Sequence, residues 1–220
     1  MPPRDASPRA WQRMLSGRRL DLLDPSPLDV EIEDIAHGLA RVARWNGQTR
    51  GPHVFSVAQH SLLVEAVAGA IDPALSPEAR LIVLLHDAPE YVIGDIISPF
   101  KAVLGDGYKG IENRLLSAIH LRFGLPPAAP KPLAALAKTA DKASAYWEAT
   151  RLAGFAEAEA ARFFGRPPVE PPGVDALIAP WTAGEAEAAF LDRFRALDGA
   201  RKGNDAPQVA PGRNRPTLDA

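Results

Sequence analysis

The sequence predicts an all-α protein with one helical bundle of about seven helices. Apolar residues recur at three- and four-residue steps along most of the chain, which is the period of an amphipathic helix. Residues typical of helix N-caps precede several of these segments. Residues 81–85 are apolar on every face, which is typical of a helix at the centre of a protein. A buried parallel strand is the alternative for 81–85, but no other segment offers it a partner.

The elements follow in order along the chain. The pair Ser56 and Gln59 has the form of a capping box, as does the pair Thr182 and Glu185, and Ser76 precedes a proline at a first helical position. Glycine- and proline-rich connections separate the later segments. Helices are predicted over 30–44, 56–71, a central segment that includes 81–85, a segment that opens within 105–110 and carries Phe123, 133–152, 155–164, and 182 to about 197.

Composition narrows the function classes. The 220 residues are 46% hydrophobic and 24% charged, which is enough apolar material for a folded core. The net charge is −2, from 25 basic and 27 acidic residues, so we expect no stable nucleic-acid partner. The chain has no cysteine, which excludes a disulfide framework, a thiolate metal site and a cysteine nucleophile. A transition-metal site would therefore use histidine and carboxylate ligands.

Three regions are predicted. Residues 1–27 form an N-terminal arm, 28–199 the folded core, and 200–220 a disordered C-terminal tail rich in glycine, proline and asparagine. No apolar run approaches the ~20 residues that a membrane span needs. The start of the chain also lacks an apolar signal segment. We expect a cytoplasmic protein without a membrane partner.

The candidate chemistry centres on the end of the buried central segment. His86 and Asp87 follow it directly, His60 begins the preceding predicted helix, and Asp141 lies midway along 133–152. Aspartate is a poor helix former and is costly to bury unpaired. Two histidines and two aspartates from three helices can form a mixed nitrogen and oxygen site for one divalent metal. The alternative is a structural cluster of ion pairs and hydrogen bonds without metal.

Glu90 follows His86 by four residues and Asp87 by three. If the helix continues that far, the three side chains share a face, and Glu90 reaches the metal site. The cations available for a phosphate near these motifs are Arg44, Lys101, Lys138 and Lys142. Asp95, after a glycine, is either a site residue or an ordinary turn residue.

The motifs together resemble the HD-domain phosphohydrolase superfamily, and within it the bacterial 5′-deoxynucleotidase branch and the related deoxynucleoside triphosphohydrolases. The resemblance covers about 30–150. It rests on Arg44-Trp45, the segment from Ser56 to Ser61, His86-Asp87-Ala88-Pro89-Glu90, Gly94-Asp95, Pro99-Phe100-Lys101 and Lys138-Thr139-Ala140-Asp141.

The resemblance implies a role for each matched residue. The metal ligands would be His60, His86, Asp87 and Asp141, and Glu90 would be the acid/base. Arg44 would orient phosphate, and Trp45 would lie against the sugar. Substrate contacts are also expected from Asp95, Ile96, Ile97, Ser98 and Lys101. Gln59 departs from the family pattern, which often has glutamate there, and could alter the orientation of His60.

The expected reaction is hydrolysis with a single metal. Members of the superfamily with two metals need further histidines between the His-Asp pair and the last aspartate, and only His120 lies there. The ion would be Mn, Co, Fe, Ni or Zn, because the same ligand set suits all of them.

We therefore expect an enzyme that removes phosphate from small nucleotides, foremost deoxyribonucleoside 5′-monophosphates. The alternatives are a deoxynucleoside triphosphate triphosphohydrolase and a non-catalytic nucleotide-binding or sensory module of the same fold. An all-α interaction domain with an accidental motif is a third class. The resemblance is also compatible with a homodimer.

Overall fold

The computed structural model describes residues 10–97, 100, 103 and 106–204. Within them the protein has nine α-helices and one small antiparallel hairpin, which confirms the predicted all-α class. The hairpin pairs β1 (Trp11–Arg13) with β2 (Arg19–Asp21). The helices are α1 (Ile32–Leu39), α2 (Val57–Ile71), α3 (Pro77–Leu84), α4 (Glu90–Ile93), α5 (Asp106–Arg122), α6 (Lys131–Arg151), α7 (Glu157–Phe164), α8 (Val174–Ile178) and α9 (Ala183–Asn204).

Helix α2 is the centre of the bundle. It packs against α3, α6, α8 and α9, and residues 57–65 are buried without interruption. The predicted central segment 81–85 is likewise fully or almost fully buried, at the end of α3. A helix covered on all sides holds its side chains in fixed rotamers. Functional groups on α2 and at the end of α3 are therefore rigidly placed.

The predicted N-caps are present. Ser56 Oγ accepts a hydrogen bond from the Gln59 backbone N–H at 3.3 Å, and Ser76 Oγ accepts one from Ala79 at 3.1 Å. Thr182 and Glu185 form a complete capping box, in which each side chain accepts from the other residue's backbone N–H. The Ser56 cap is only half a box, because the Gln59 side chain bonds elsewhere.

The prediction of one helix over 30–44 is wrong. Helix α1 ends at Leu39, and the chain then pairs with the segment before α2, with Arg44 N–H donating to Phe55 O at 2.9 Å and Val57 N–H to Val42 O at 3.0 Å. A separate 3₁₀ turn follows at Arg44–Gly47. This pairing satisfies backbone groups between distant segments, which helical periodicity does not reveal.

The central helix also ends too early to carry His86, Asp87 and Glu90 on one face, as their spacing would require. Helix α3 stops at Leu84, residues 85–89 form turns, and Glu90 begins α4. The short helices α4 and α8 bring the number in the described residues to nine, against about seven predicted from longer apolar periods.

Both ends of the described chain carry structure that was not predicted. The hairpin lies within the predicted arm, and its Leu20 is buried in the main apolar core with Met14. The last helix continues past the predicted end near Leu197 to Asn204. None of the helices that the structure describes has the length and apolarity to cross a membrane.

Candidate metal centre

Four side chains from three places in the fold converge at the end of the central helices. His60 lies in the first turns of α2, His86 and Asp87 lie in the turn after α3, and Asp141 lies midway along α6. Helix α2 contacts both α3 and α6, so the three segments meet at one point. The fold thus brings together the four residues that the sequence analysis selected as metal ligands.

The distances within this group are short. His60 Nε2 lies 3.2 Å from Asp141 Oδ1 and 3.5 Å from Asp87 Oδ2, and His86 Nε2 lies 3.1 Å from the same Asp87 oxygen. Three potential ligand atoms, one from each of His60, His86 and Asp141, all lie within 4.8 Å of one another. These three residues form a group that could hold a metal ion.

The outer nitrogen of each histidine ring is anchored away from the centre. His60 Nδ1 lies 2.6 Å from Glu148 Oε1, and His86 Nδ1 lies 2.9 Å from the carbonyl oxygen of Val83. A carbonyl oxygen can only accept, so His86 Nδ1 carries a proton, and a carboxylate favours the same tautomer at His60. Both Nε2 atoms then direct a lone pair towards the aspartates, the arrangement of metal-binding histidines.

A cation between these groups would resolve an unfavourable contact. The Nε2 atoms of His60 and His86 are buried and make no hydrogen bond to the described residues. In the tautomers set by Nδ1, each Nε2 is an acceptor and would face a carboxylate oxygen, which is also an acceptor. Unsatisfied buried acceptors are costly, and nitrogen and oxygen donors of this kind suit a divalent first-row metal. The residues present therefore fit such an ion.

Glu148 connects the centre to Arg44 and Trp45. Its side chain is fully buried, and its Oε2 accepts hydrogen bonds from Trp45 Nε1 at 2.8 Å and from Arg44 at 3.3–3.4 Å. Burial raises the pKa of Glu148, but the charges of Arg44 and His60 and their hydrogen bonds outweigh it and lower the pKa to about 2. Glu148 is thus an anion at neutral pH. Glu148 is not among the site residues predicted from the sequence.

Arg44 lies between two carboxylates. Besides Glu148 it contacts Asp95, with 3.3 Å between Arg44 Nη1 and Asp95 Oδ2. Gly94, at φ 76°, ends α4 and turns the chain so that Asp95 faces Arg44.

Trp45, the residue after Arg44, has an unusual backbone conformation. Its φ is 57°, a left-handed conformation that is rare for a bulky side chain. Such outliers persist only where surrounding contacts fix them, here the Glu148 hydrogen bond and aromatic packing on Phe155 and Phe164.

The carboxylates keep the centre negative. Burial raises the pKa of Asp87 and of Asp141, but the neighbouring histidines more than offset this, so both pKa values lie below the ordinary one. Burial and Arg44 lower the pKa of His60, but Glu148, Asp141 and Asp87 raise it well above its ordinary value. A positive charge at His60 Nε2 is therefore favoured, whether it is a proton or a metal ion that replaces the proton.

Comparison with known proteins finds a relative that matches most of the chain. The uncharacterized protein RCAP_rcc00048 of Rhodobacter capsulatus is 57% identical over 190 residues, which cover 86% of this chain and 96% of that protein. This chain belongs to the same family as that protein. The uncharacterized protein YfdR of Escherichia coli strain K12 is 34% identical over 105 residues, which cover 48% of this chain and 53% of YfdR. No family model matches the chain.

The other predicted site residues have different outcomes. Glu90 is buried one turn beyond Asp87, with its backbone N–H bonded to Asp87 O at 3.0 Å, but it begins a new helix and does not share a helix face with His86. Ile96 and Ile97 follow Asp95 as partly exposed and exposed residues. Ser98 and Lys101 lie outside the described residues. The substrate contacts of all these residues remain predictions.

Gln59 does not orient His60. Its amide Nε2 donates to the carbonyl oxygens of Leu177 and Ala179 at 3.1 and 2.8 Å, and its Oε1 accepts from Trp181 N–H at 3.0 Å. The side chain thus fixes the segment 177–181 between α8 and α9. Glu148 holds the His60 ring instead. One sequence feature could have pointed to Glu148 as a site residue. It lies seven residues after Asp141, which is two turns along the same face of α6.

Proposed function

We propose that this protein is a metal-dependent phosphohydrolase that removes phosphate from deoxyribonucleoside 5′-monophosphates. The observation that carries the proposal is the convergence of His60, His86, Asp87 and Asp141, with both Nε2 atoms buried and facing carboxylate oxygens. A divalent ion held by these four residues would act as a Lewis acid and make a water nucleophilic near neutral pH.

Arg44 supports phosphate as the group that is bound. Its guanidinium has five N–H donors: Nε and Nη2 donate to Glu148 and Nη1 donates to Asp95, which fixes the position of the group and leaves two N–H donors. The side chain retains 14% exposure, so part of it is accessible to a ligand. Arginine is suited to a planar, bidentate contact with phosphate oxygens. We propose that Arg44 neutralises and orients the phosphate that is transferred.

Glu90 is the proposed general acid/base. It is buried next to the turn that carries His86 and Asp87, and a carboxyl group in such a place can carry a proton to or from the reacting oxygen. Trp45 lies farther away, with its indole N–H committed to Glu148. This hydrogen bond supports a role for Trp45 in holding Glu148, and the sugar contact that the resemblance implies stays a prediction.

The number of charges favours one phosphate over three. Among the described residues, Arg44 is the arginine whose charge faces the four carboxylates of Glu148, Asp87, Asp95 and Asp141. Lys138 lies near Asp141 on α6. A triphosphate would add more negative charge than a monophosphate to a site that already holds four carboxylates, and neutralisation is what phosphoryl transfer needs from the protein. Triphosphate hydrolysis and nucleotide sensing without turnover remain alternatives.

A phosphate-release screen tests the proposal. The wild-type protein is assayed with each of Mn²⁺, Co²⁺, Fe²⁺, Ni²⁺ and Zn²⁺ against deoxyribonucleoside mono- and triphosphates and the matching ribonucleotides. We expect release of one phosphate from deoxyribonucleoside 5′-monophosphates, loss of it in Asp141→Asn, and no change in Asp24→Asn, an exposed aspartate after β2. Release of triphosphate, or binding without release, would favour an alternative.

A further inference from the structure

A cavity of about 260 Å³ opens beside the candidate metal centre. His86, His120, Lys138 and Asp141 form the polar part of its wall. The remainder is apolar, with Ile82 from α3, Leu116 from α5, and Ala137 from α6. Sites for drug-sized ligands usually start at about 300 Å³. This volume therefore suits a ligand somewhat smaller than a typical drug.

His120 gives the cavity one specific polar group. It is 1% exposed and lies on the cavity wall. Its Nδ1 lies 2.9 Å from the carbonyl oxygen of Pro126, which can only accept, so Nδ1 carries the proton and Nε2 is an acceptor. That Nε2 is buried and has no hydrogen bond from any described residue. Burial of an acceptor without a donor is unfavourable, and a ligand N–H or O–H in the cavity would relieve it.

We propose that this cavity holds the nucleoside part of the substrate, with His120 Nε2 accepting a hydrogen bond from it. The inference rests on the proposed function, because the phosphate must lie at the neighbouring metal centre. The apolar wall would cover the ring faces, and His120 would select a ring system that carries a donor. His120 is then a specificity-determining residue, and its contact lies outside the metal ligand set.

The cavity and Trp45 are alternative places for the nucleoside. The cavity residues of α6 precede Asp141, whereas Trp45 contacts Glu148, which follows Asp141 by seven residues or about 10 Å along the helix axis. A ring in the cavity is thus on the opposite side of Asp141 from Trp45. A nucleoside stacked on Trp45 is the competing outcome of the test.

Titration calorimetry with 2′-deoxyadenosine tests the inference without catalysis, because this probe has no phosphate to release. Ala137→Leu fills the cavity from α6, and Ala135→Leu is the matched control, since Ala135 is exposed on the same helix and does not line the cavity. We expect binding to the wild type, at least tenfold weaker binding to Ala137→Leu, and unchanged binding to Ala135→Leu.

His120→Asn gives a second, smaller change. The asparagine amide nitrogen can keep the bond to Pro126 O, while no acceptor remains at the position of Nε2. We expect about tenfold weaker binding of 2′-deoxyadenosine, which is the usual loss for one hydrogen bond, with little change in thermal unfolding. The purine deoxyriboside without the amino group shows whether that group is the donor, because its affinity would then not respond to His120→Asn.

Two results would overturn the inference. One is the absence of 2′-deoxyadenosine binding to the wild type at millimolar probe. The other is binding that Ala137→Leu and His120→Asn leave unchanged and that Trp45→Ala abolishes, which would place the nucleoside on Trp45. Nucleoside binding with the expected variant pattern, but no phosphate release from any nucleotide, would contradict the proposed function and leave the cavity assignment intact.

Discussion

His60 Nδ1 lies 2.6 Å from Glu148 Oε1, and both side chains are fully buried. The same glutamate accepts from Arg44 and Trp45. A single buried anion therefore fixes the ring of one candidate metal ligand and the side chain of the proposed phosphate-binding arginine. Contacts of this kind maintain ligand orientation and basicity.

Glu148→Gln should weaken metal binding by about 10- to 100-fold, the usual range for loss of a group that orients a ligand. The amide cannot supply the negative charge that His60 and Arg44 face. The measurement is a calorimetric titration with Zn²⁺ or Mn²⁺. Glu159→Gln, an exposed change on α7, is the matched control. Equal metal affinity in the two variants would show that Glu148 does not position His60.

The metal-free protein should lose stability in acid through Glu148. Its pKa is depressed from 4.5 to about 2 in the folded state, so its contribution is complete above pH 4.5 and is lost as the pH falls towards 2. The full loss, on the order of 3 kcal/mol, is reached only below pH 2, and the part lost between pH 6 and pH 3 is about 2 kcal/mol. Urea unfolding at pH 6 and pH 3 measures it. Glu148→Gln should show a smaller difference between the two pH values, and an equal difference would contradict the assignment.

The contribution of His60 to folding stability depends on pH with the opposite sign. Its pKa is raised, so its stabilising contribution in the metal-free protein is present below about pH 6.5 and is lost as the pH rises through the raised value. This effect falls at higher pH than the losses due to the carboxylates. Asp87 and Asp141 also have lowered pKa values, so the comparison with Glu148→Gln is what isolates Glu148.

Glu90→Gln should keep metal binding and lower turnover by about 10²- to 10⁴-fold, the usual contribution of a general acid/base. The amide keeps the shape of the side chain but cannot transfer the proton. Phosphate release and metal titration on the same preparation separate the two effects. Glu157→Gln, in the exposed first turn of α7, corresponds to Glu90 in the first turn of α4. Near-normal turnover in Glu90→Gln would remove it from the mechanism.

The helical class was predictable because it depends on local signals, and the sequence motifs also selected His60, His86 and Asp141, the group that could hold a metal ion. The period of apolar residues and the caps at Ser56, Ser76 and Thr182 each act within a few residues. The role of Glu148 and the early end of α1 were not predictable in this way. Both depend on pairing between segments far apart in sequence, such as Arg44 with Phe55 and His60 with Glu148.

Gln59→Leu should destabilise the fold by about 3 kcal/mol and leave metal affinity unchanged. It removes three hydrogen bonds to 177–181 and leaves the carbonyl groups of Leu177 and Ala179 without this donor. Denaturant unfolding measures the first effect and metal titration the second. Ser61→Ala is the control, because Ser61 is also a buried polar residue of α2 and lies two positions after Gln59. Reduced metal affinity in folded Gln59→Leu would show that Gln59 does influence His60.

The most direct test of the metal centre is the metal content of Asp141→Ala beside that of the wild type. Both proteins are loaded with the same divalent ion, desalted, and analysed by elemental mass spectrometry, with Asp24→Ala as the control. We expect about one ion per chain in the wild type and in Asp24→Ala, and loss of bound ion and of phosphate release together in Asp141→Ala. A wild-type protein that binds no divalent ion, or an Asp141→Ala variant that binds it equally well, would contradict the account.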